Sequence, residues 1–95
     1  MKILYLTLKK KWFDMILSGE KKEEYREVKP YWSKRLLTEH FDVIEFRNGY
    51  SKDCRKFRIE CTAVEKAFGI IEWGAPWNKL VYILYLGKII EGMKS

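Results

Sequence analysis

Residues 80–89 are almost continuously apolar and rich in β-branched and aromatic side chains. The run is too short to span a membrane as a helix and reads as a strand buried on both faces. Such a strand needs partners, and the rest of the chain supplies their signals. Residues 56–63 alternate cleanly, with Phe57, Ile59, Cys61 and Ala63 on one face and Lys56, Arg58, Glu60 and Thr62 on the other. Residues 2–8 read as a further buried strand. At 42–47, Ile44 and Phe46 oppose Glu45 and Arg47. Two short helices are expected between these strands. Residues 10–18 place Trp12, Met15 and Ile16 on one stripe, and Gly19 is a natural stop. Pro30 fits the first turn of a second helix with Tyr31, Trp32, Leu36 and Leu37 on its apolar side. The polar stretch at 23–26 is expected to be a strand leaving the glycine turn. Asn48-Gly49 opens a loop reaching Asp53, while Gly69, Gly74 and Pro76 break up the segment before the last strand. The 95 residues allow one domain, 1–95. The expected fold is α+β: a small β-barrel of about five strands with two short helices, which would hide the sheet edges.

Composition narrows the chemistry. His40 is the single histidine, and Cys54 and Cys61 have no ligand partners at metal-site spacing, so no metal or other cofactor is expected. His40 itself reads as a loop or strand-entry residue, and the cysteines as reduced thiols of a cytoplasmic protein. The apolar N-terminal stretch is too short for a signal peptide or a membrane span. The net charge of +6 favours anionic partners. Residues 1–58 hold fifteen Lys and Arg against nine Asp and Glu, whereas residues 59–95 hold four of each. The entire surplus lies in the N-terminal part.

The segment Leu17-Ser18-Gly19-Glu20-Lys21-Lys22-Glu23-Glu24-Tyr25-Arg26 concentrates reactive groups. Alternation after the glycine turn puts Glu24 and Arg26 on one face and Glu23 and Tyr25 on the other. A lysine at the turn, with a carboxylate and an arginine beside each other, suits holding a phosphate or polarising a carbonyl. The competing reading is a solvated strand whose surface ion pairs contribute about 0–1 kcal/mol. Basic residues are also interleaved with aromatics, from Lys9, Lys10 and Lys11 before Trp12 to Lys34 and Arg35 after Trp32. Cations neutralise phosphates, and aromatic faces stack bases at about 1–3 kcal/mol each. Trp12 and Trp32 read as packing residues of the helices. Tyr25 and Tyr50, among polar neighbours, are the stacking candidates, and Asn48 beside Arg47 suits a base edge. Trp73 and Trp77 around Gly74-Ala75-Pro76 form either an aromatic corner or, through Glu72 and Trp73, part of a cleft.

A helix ending in Ser18-Gly19-Glu20-Lys21, followed by an extended segment ending in Arg26, resembles the signature of the ASCH domain, a family of PUA-like β-barrels. The family pattern is roughly Gly-x-Lys-Thr-x-x-x-Arg, and Gly19, Lys21 and Arg26 match it in register. The resemblance covers residues 2–90. The segments at 46–50 and 72–76 look like a small single-domain bacterial and phage-type branch. The resemblance implies a cleft between the early helix and the barrel that accepts RNA or a nucleoside. Some ASCH proteins resemble acetylcytidine amidohydrolases, in which a lysine, a threonine three residues later and a distant glutamate act. Lys21 matches the lysine, but Glu24 stands in place of that threonine, and Lys22 in place of the threonine that commonly follows the lysine. The hydroxyl is therefore missing, and the later glutamate is not assignable among Glu60, Glu65 and Glu72. Other ASCH proteins look like ribonucleases, and Glu24, Lys21 and Arg26 are the groups such cleavage would use.

The combined expectation is an RNA, single-stranded nucleic acid or nucleoside binder, with Lys21, Lys22, Tyr25, Arg26, Arg47, Asn48 and Tyr50 at the ligand. The alternatives are a metal-independent hydrolase using Lys21 and Glu24, or a protein-interaction module. The chain is expected to avoid membranes and to be a monomer or weak homodimer.

Overall fold

The computed structural model describes residues 2–94 in backbone, and side chains through Ile90. Five strands and two α-helices follow in the order β1 (Ile3–Thr7), α1 (Lys10–Leu17), β2 (Glu23–Glu27), α2 (Pro30–Thr38), β3 (Val43–Arg47), β4 (Lys56–Phe68) and β5 (Leu80–Lys94), with one 3-10 turn at Ile71–Trp73. The strands form one mixed sheet in the order β1-β3-β4-β5-β2. β1 runs parallel to β3, and the other pairs are antiparallel. This is the expected α+β fold of about five strands and two short helices.

The sheet curls into a half-barrel whose edges, β1 and β2, do not bond to each other. Its curvature has a local cause. The β4–β5 register shifts repeatedly between Lys56 and Ala63, and each extra residue bends its strand and increases the twist. Gly87 lies within this irregular stretch. A Cβ there would come within 2.6 Å of the Glu60 carboxylate, which instead accepts the Lys88 N–H at 2.9 Å.

The main core fills the side of the sheet covered by the helices. Phe13 and Ile16 of α1 and Leu36 of α2 meet Leu4, Leu6, Ile44, Phe46, Phe57, Ile59, Tyr82 and Leu84. Burying a side chain of this size contributes about 1.5–3 kcal/mol, so this layer supplies most of the drive to fold. A smaller cluster of Tyr25, Ala75, Val81 and Ile83 occupies the other face of β5.

Doubly covered β5 is thus real but shorter than the sequence predicts. Residues 81–84 are buried, whereas Leu80, Ile89 and Ile90 are exposed. Both faces are covered where the two core clusters meet the strand, Tyr82 and Leu84 on one side and Val81 and Ile83 on the other. β4 extends to Phe68 instead of stopping at Ala63, and Ala63 is exposed because the register shifts interrupt the alternation. Both cysteines are free thiols, and His40 pairs with Asp42 at the entry to β3, 2.9 Å away. Among the described residues no helix is long and apolar enough to cross a membrane.

Candidate functional site

The open seam between β1 and β2 holds a cleft of about 260 Å³, lined by Thr7, Leu8, Lys9, Trp12, Glu24, Tyr25, Arg26, Trp73 and Gly74. Three local devices bring these residues together. The first is the reversal after α1. Gly19 takes φ +89°, a conformation costly for residues with a Cβ, and the Lys21 N–H then donates to Met15 O at 2.9 Å. This lays β2 beside the helix, with Glu24 opposite Leu84 and Arg26 opposite Tyr82 in β5. The second is the turn at Ile71–Trp73, closed by Gly74 at φ +102°. A Cβ on Gly74 would also press on the Trp12 indole at 3.1 Å, so glycine is needed twice over. The third is the end of β1. Leu8 N–H donates to Arg47 O at 2.8 Å, and Asn48 Nδ2 donates to Leu8 O at 3.1 Å, fixing the opposite wall.

Beneath this cleft lies a buried ionic cluster. Lys21 is 1% exposed and Glu24 6%. The Lys21 ammonium donates to Glu23 O at 2.6 Å and Trp73 O at 2.7 Å, and pairs with Glu24 Oε1 at 3.0 Å. All three of its donors are therefore engaged. It also lies near the Tyr25 and Trp12 rings, 4.7 and 5.4 Å from their centroids. Burial pulls its pKa below the usual lysine value, while the Glu24 charge and hydrogen bond act to raise it.

Arg26 completes the cluster. Its Nη1 donates to Glu24 Oε2 and, at 2.7 Å, to Tyr25 O, and its guanidinium lies over the Trp32 ring. Nε and Nη2 have no hydrogen-bond partner among the described residues. Each Glu24 oxygen accepts one hydrogen bond and retains further lone-pair capacity. The cleft thus presents a carboxylate acceptor beside guanidinium donors, with the half-buried Trp12 and Trp73 among its lining residues. Among the described residues no three His, Cys, Asp or Glu side chains gather as a metal-ligand set.

Of the residues singled out from sequence, Glu24, Tyr25 and Arg26 line the cleft and Lys21 lies beneath it. Tyr25 is not a free stacking surface. Its ring is buried, and its hydroxyl donates to Glu23 Oε1 at 2.8 Å and accepts from the Ile70 N–H at 2.9 Å. Burial, together with the Glu23 carboxylate, raises its pKa well above the usual phenol range. Lys22 lies outside this cleft, bordering a separate hollow with Leu86, Lys88 and part of Lys21. Arg47 pairs with Glu45 on β3, Asn48 braces the wall at Leu8, and Tyr50 projects from its loop at 91% exposure. None of these three lines the cleft.

The sequence reading placed Trp12 in helix packing, and it does pack against the core. Its second role, as a cleft wall, depends on Gly74 approaching from far along the chain. The sequence leaves Trp73 open between two readings and puts Lys9 in the basic run before Trp12, whereas Thr7 carries no motif. No protein-family model, curated protein or solved structure matches the chain.

Proposed function

We propose that the chain is a small cytoplasmic ASCH-type domain that binds a nucleobase, as a nucleoside or within single-stranded RNA, in the cleft between β1 and β2. One observation carries this reading. Glu24 bridges Lys21 and Arg26 at a concave site whose lining includes Trp12 and Trp73. A base exposes N–H donors and carbonyl or ring-nitrogen acceptors along one edge and π-faces on both sides. A carboxylate beside a guanidinium is complementary to that edge, and Trp12 and Trp73 supply aromatic surface in the lining. At about 260 Å³ the cleft is of base-to-nucleoside size, below the usual range for drug-sized ligands. The concavity favours a small planar ligand over a flat protein partner.

With its three donors engaged, Lys21 acts by positioning Glu24 and the Trp73 turn. A ligand meets Glu24 and Arg26. The test is tryptophan-quenching titration with the four ribonucleosides and short single-stranded RNAs. Binding should occur in the protein as it stands and weaken at least tenfold in Arg26→Ala, with Arg26→Lys recovering only part. The lysine restores charge but not the planar fork. Equal affinity in all three proteins, or no binding to any probe, removes this reading. Conversion of the bound nucleoside or RNA to product, seen by mass spectrometry, would add the hydrolase role expected for Lys21 and Glu24.

A further inference from the structure

A second, smaller cleft of about 140 Å³ adjoins the first and shares Tyr25, Arg26 and Gly74 with it. Its remaining walls are Glu27, Pro76, Lys79 and Val81. Arg26 therefore stands at the junction of the two hollows, with Nε and Nη2 unpartnered among the described residues. The second hollow is too small for another nucleoside but suits a phosphate with part of a sugar. Its cations are Arg26 and Lys79. Glu27 also lines it but is exposed and lies 3.9 Å from the Lys29 ammonium, so the local balance stays positive. Between Pro76 and Lys79, Trp77 is 78% exposed, unusual for the most area-rich apolar side chain. Asn78, at φ +52°, turns the chain between Trp77 and Lys79.

We propose that the two clefts are consecutive subsites for phosphodiester-linked nucleotides: a base in the first, the linking phosphate at Arg26 and Lys79, and the neighbouring base on Trp77. This rests on the nucleobase reading above and specifies its ligand as an oligonucleotide. It also gives work to two residues from the electrically neutral C-terminal part of the chain. A guanidinium at the junction can donate to base and phosphate together, which a lone nucleoside leaves half used.

Titration calorimetry with cytidine, uridine, adenosine and guanosine, then CpC, UpU, ApA and GpG, tests the arrangement on the intact protein and on Trp77→Ala and Lys79→Ala. Both side chains are exposed, and circular dichroism verifies that each variant is folded. The preferred dinucleotide should bind at least tenfold more tightly than its nucleoside. Each variant should lose most of that gain while leaving nucleoside affinity unchanged. Equal affinity for nucleoside and dinucleotide overturns the second subsite alone, as does an undiminished gain in both variants. Absence of binding by nucleosides and dinucleotides alike overturns the parent reading with it.

Discussion

Lys21 ties together two separate pieces of chain through one ammonium group: the start of β2, at Glu23 O and the Glu24 carboxylate, and the turn carrying Trp73 O. The cost of burying that charge is met by two carbonyls, a carboxylate and two nearby rings. Replacing only the lysine is therefore worse than a simple loss of attraction. Lys21→Met keeps much of the volume but leaves Glu24 with Arg26 alone and strips Glu23 O and Trp73 O of their donor. Breaking a buried pair in this way destabilises by about 3–5 kcal/mol. Urea unfolding of the two proteins measures the difference. A loss below about 1 kcal/mol would mean that the pair contributes no more than a surface salt bridge. The same residue separates positioning from recognition, because its donors face inward while those of Arg26 remain available.

Between β3 and β4, the half-buried charges of Arg47 and Arg58 converge on Glu45, at 2.7 and 3.0 Å. Burial acts to raise the Glu45 pKa, but the hydrogen bonds and charges of the two arginines outweigh it and hold the carboxyl below its usual 4.5. A carboxyl depressed by folding contributes stability above its unfolded pKa and loses it as pH falls through the folded value. Glu45→Gln should therefore be less stable near neutrality, and its stability should decline less between about pH 5 and pH 3. Urea midpoints across that interval report both effects; parallel declines would contradict the linkage. This strand pair was legible in the sequence because alternation is local, and Ile44, Phe46, Phe57 and Ile59 point inward as their spacing predicts. The limits of β4 and β5 were not legible, because they depend on which neighbour pairs with each residue and where bulges fall. The site divides in the same way. Gly19 and the alternation of β2 announce the grouping of Lys21, Glu24 and Arg26, whereas the cover from Trp73 comes from 52 residues beyond Lys21.

Across the whole molecule, the count of nineteen Lys and Arg overstates the cations that a ligand meets. Lys2 is paired with Glu39, Lys10 and Arg55 with Asp14, Lys21 with Glu24, and Arg47 and Arg58 with Glu45. Arg47, Arg55 and Arg58 thus serve as internal bracing between strands, loop and helix. Lys9, Arg26 and Lys79 are the cations lining the two joined clefts. For single strands, each phosphate neutralised contributes about −0.7 to the slope of log affinity against log salt. With one phosphate held by Arg26 and Lys79 and a second at Lys9, the slope for a short RNA is about −1.4, and Lys79→Ala should reduce its magnitude by up to about 0.7. Affinities measured across a range of potassium chloride concentrations supply the slope directly. A slope steeper than about −4 would require more phosphate contacts than the clefts provide, and would transfer binding to the diffuse basic surface. A slope near zero would leave the ligand uncharged, restricting the site to a nucleoside and excluding a bound phosphate.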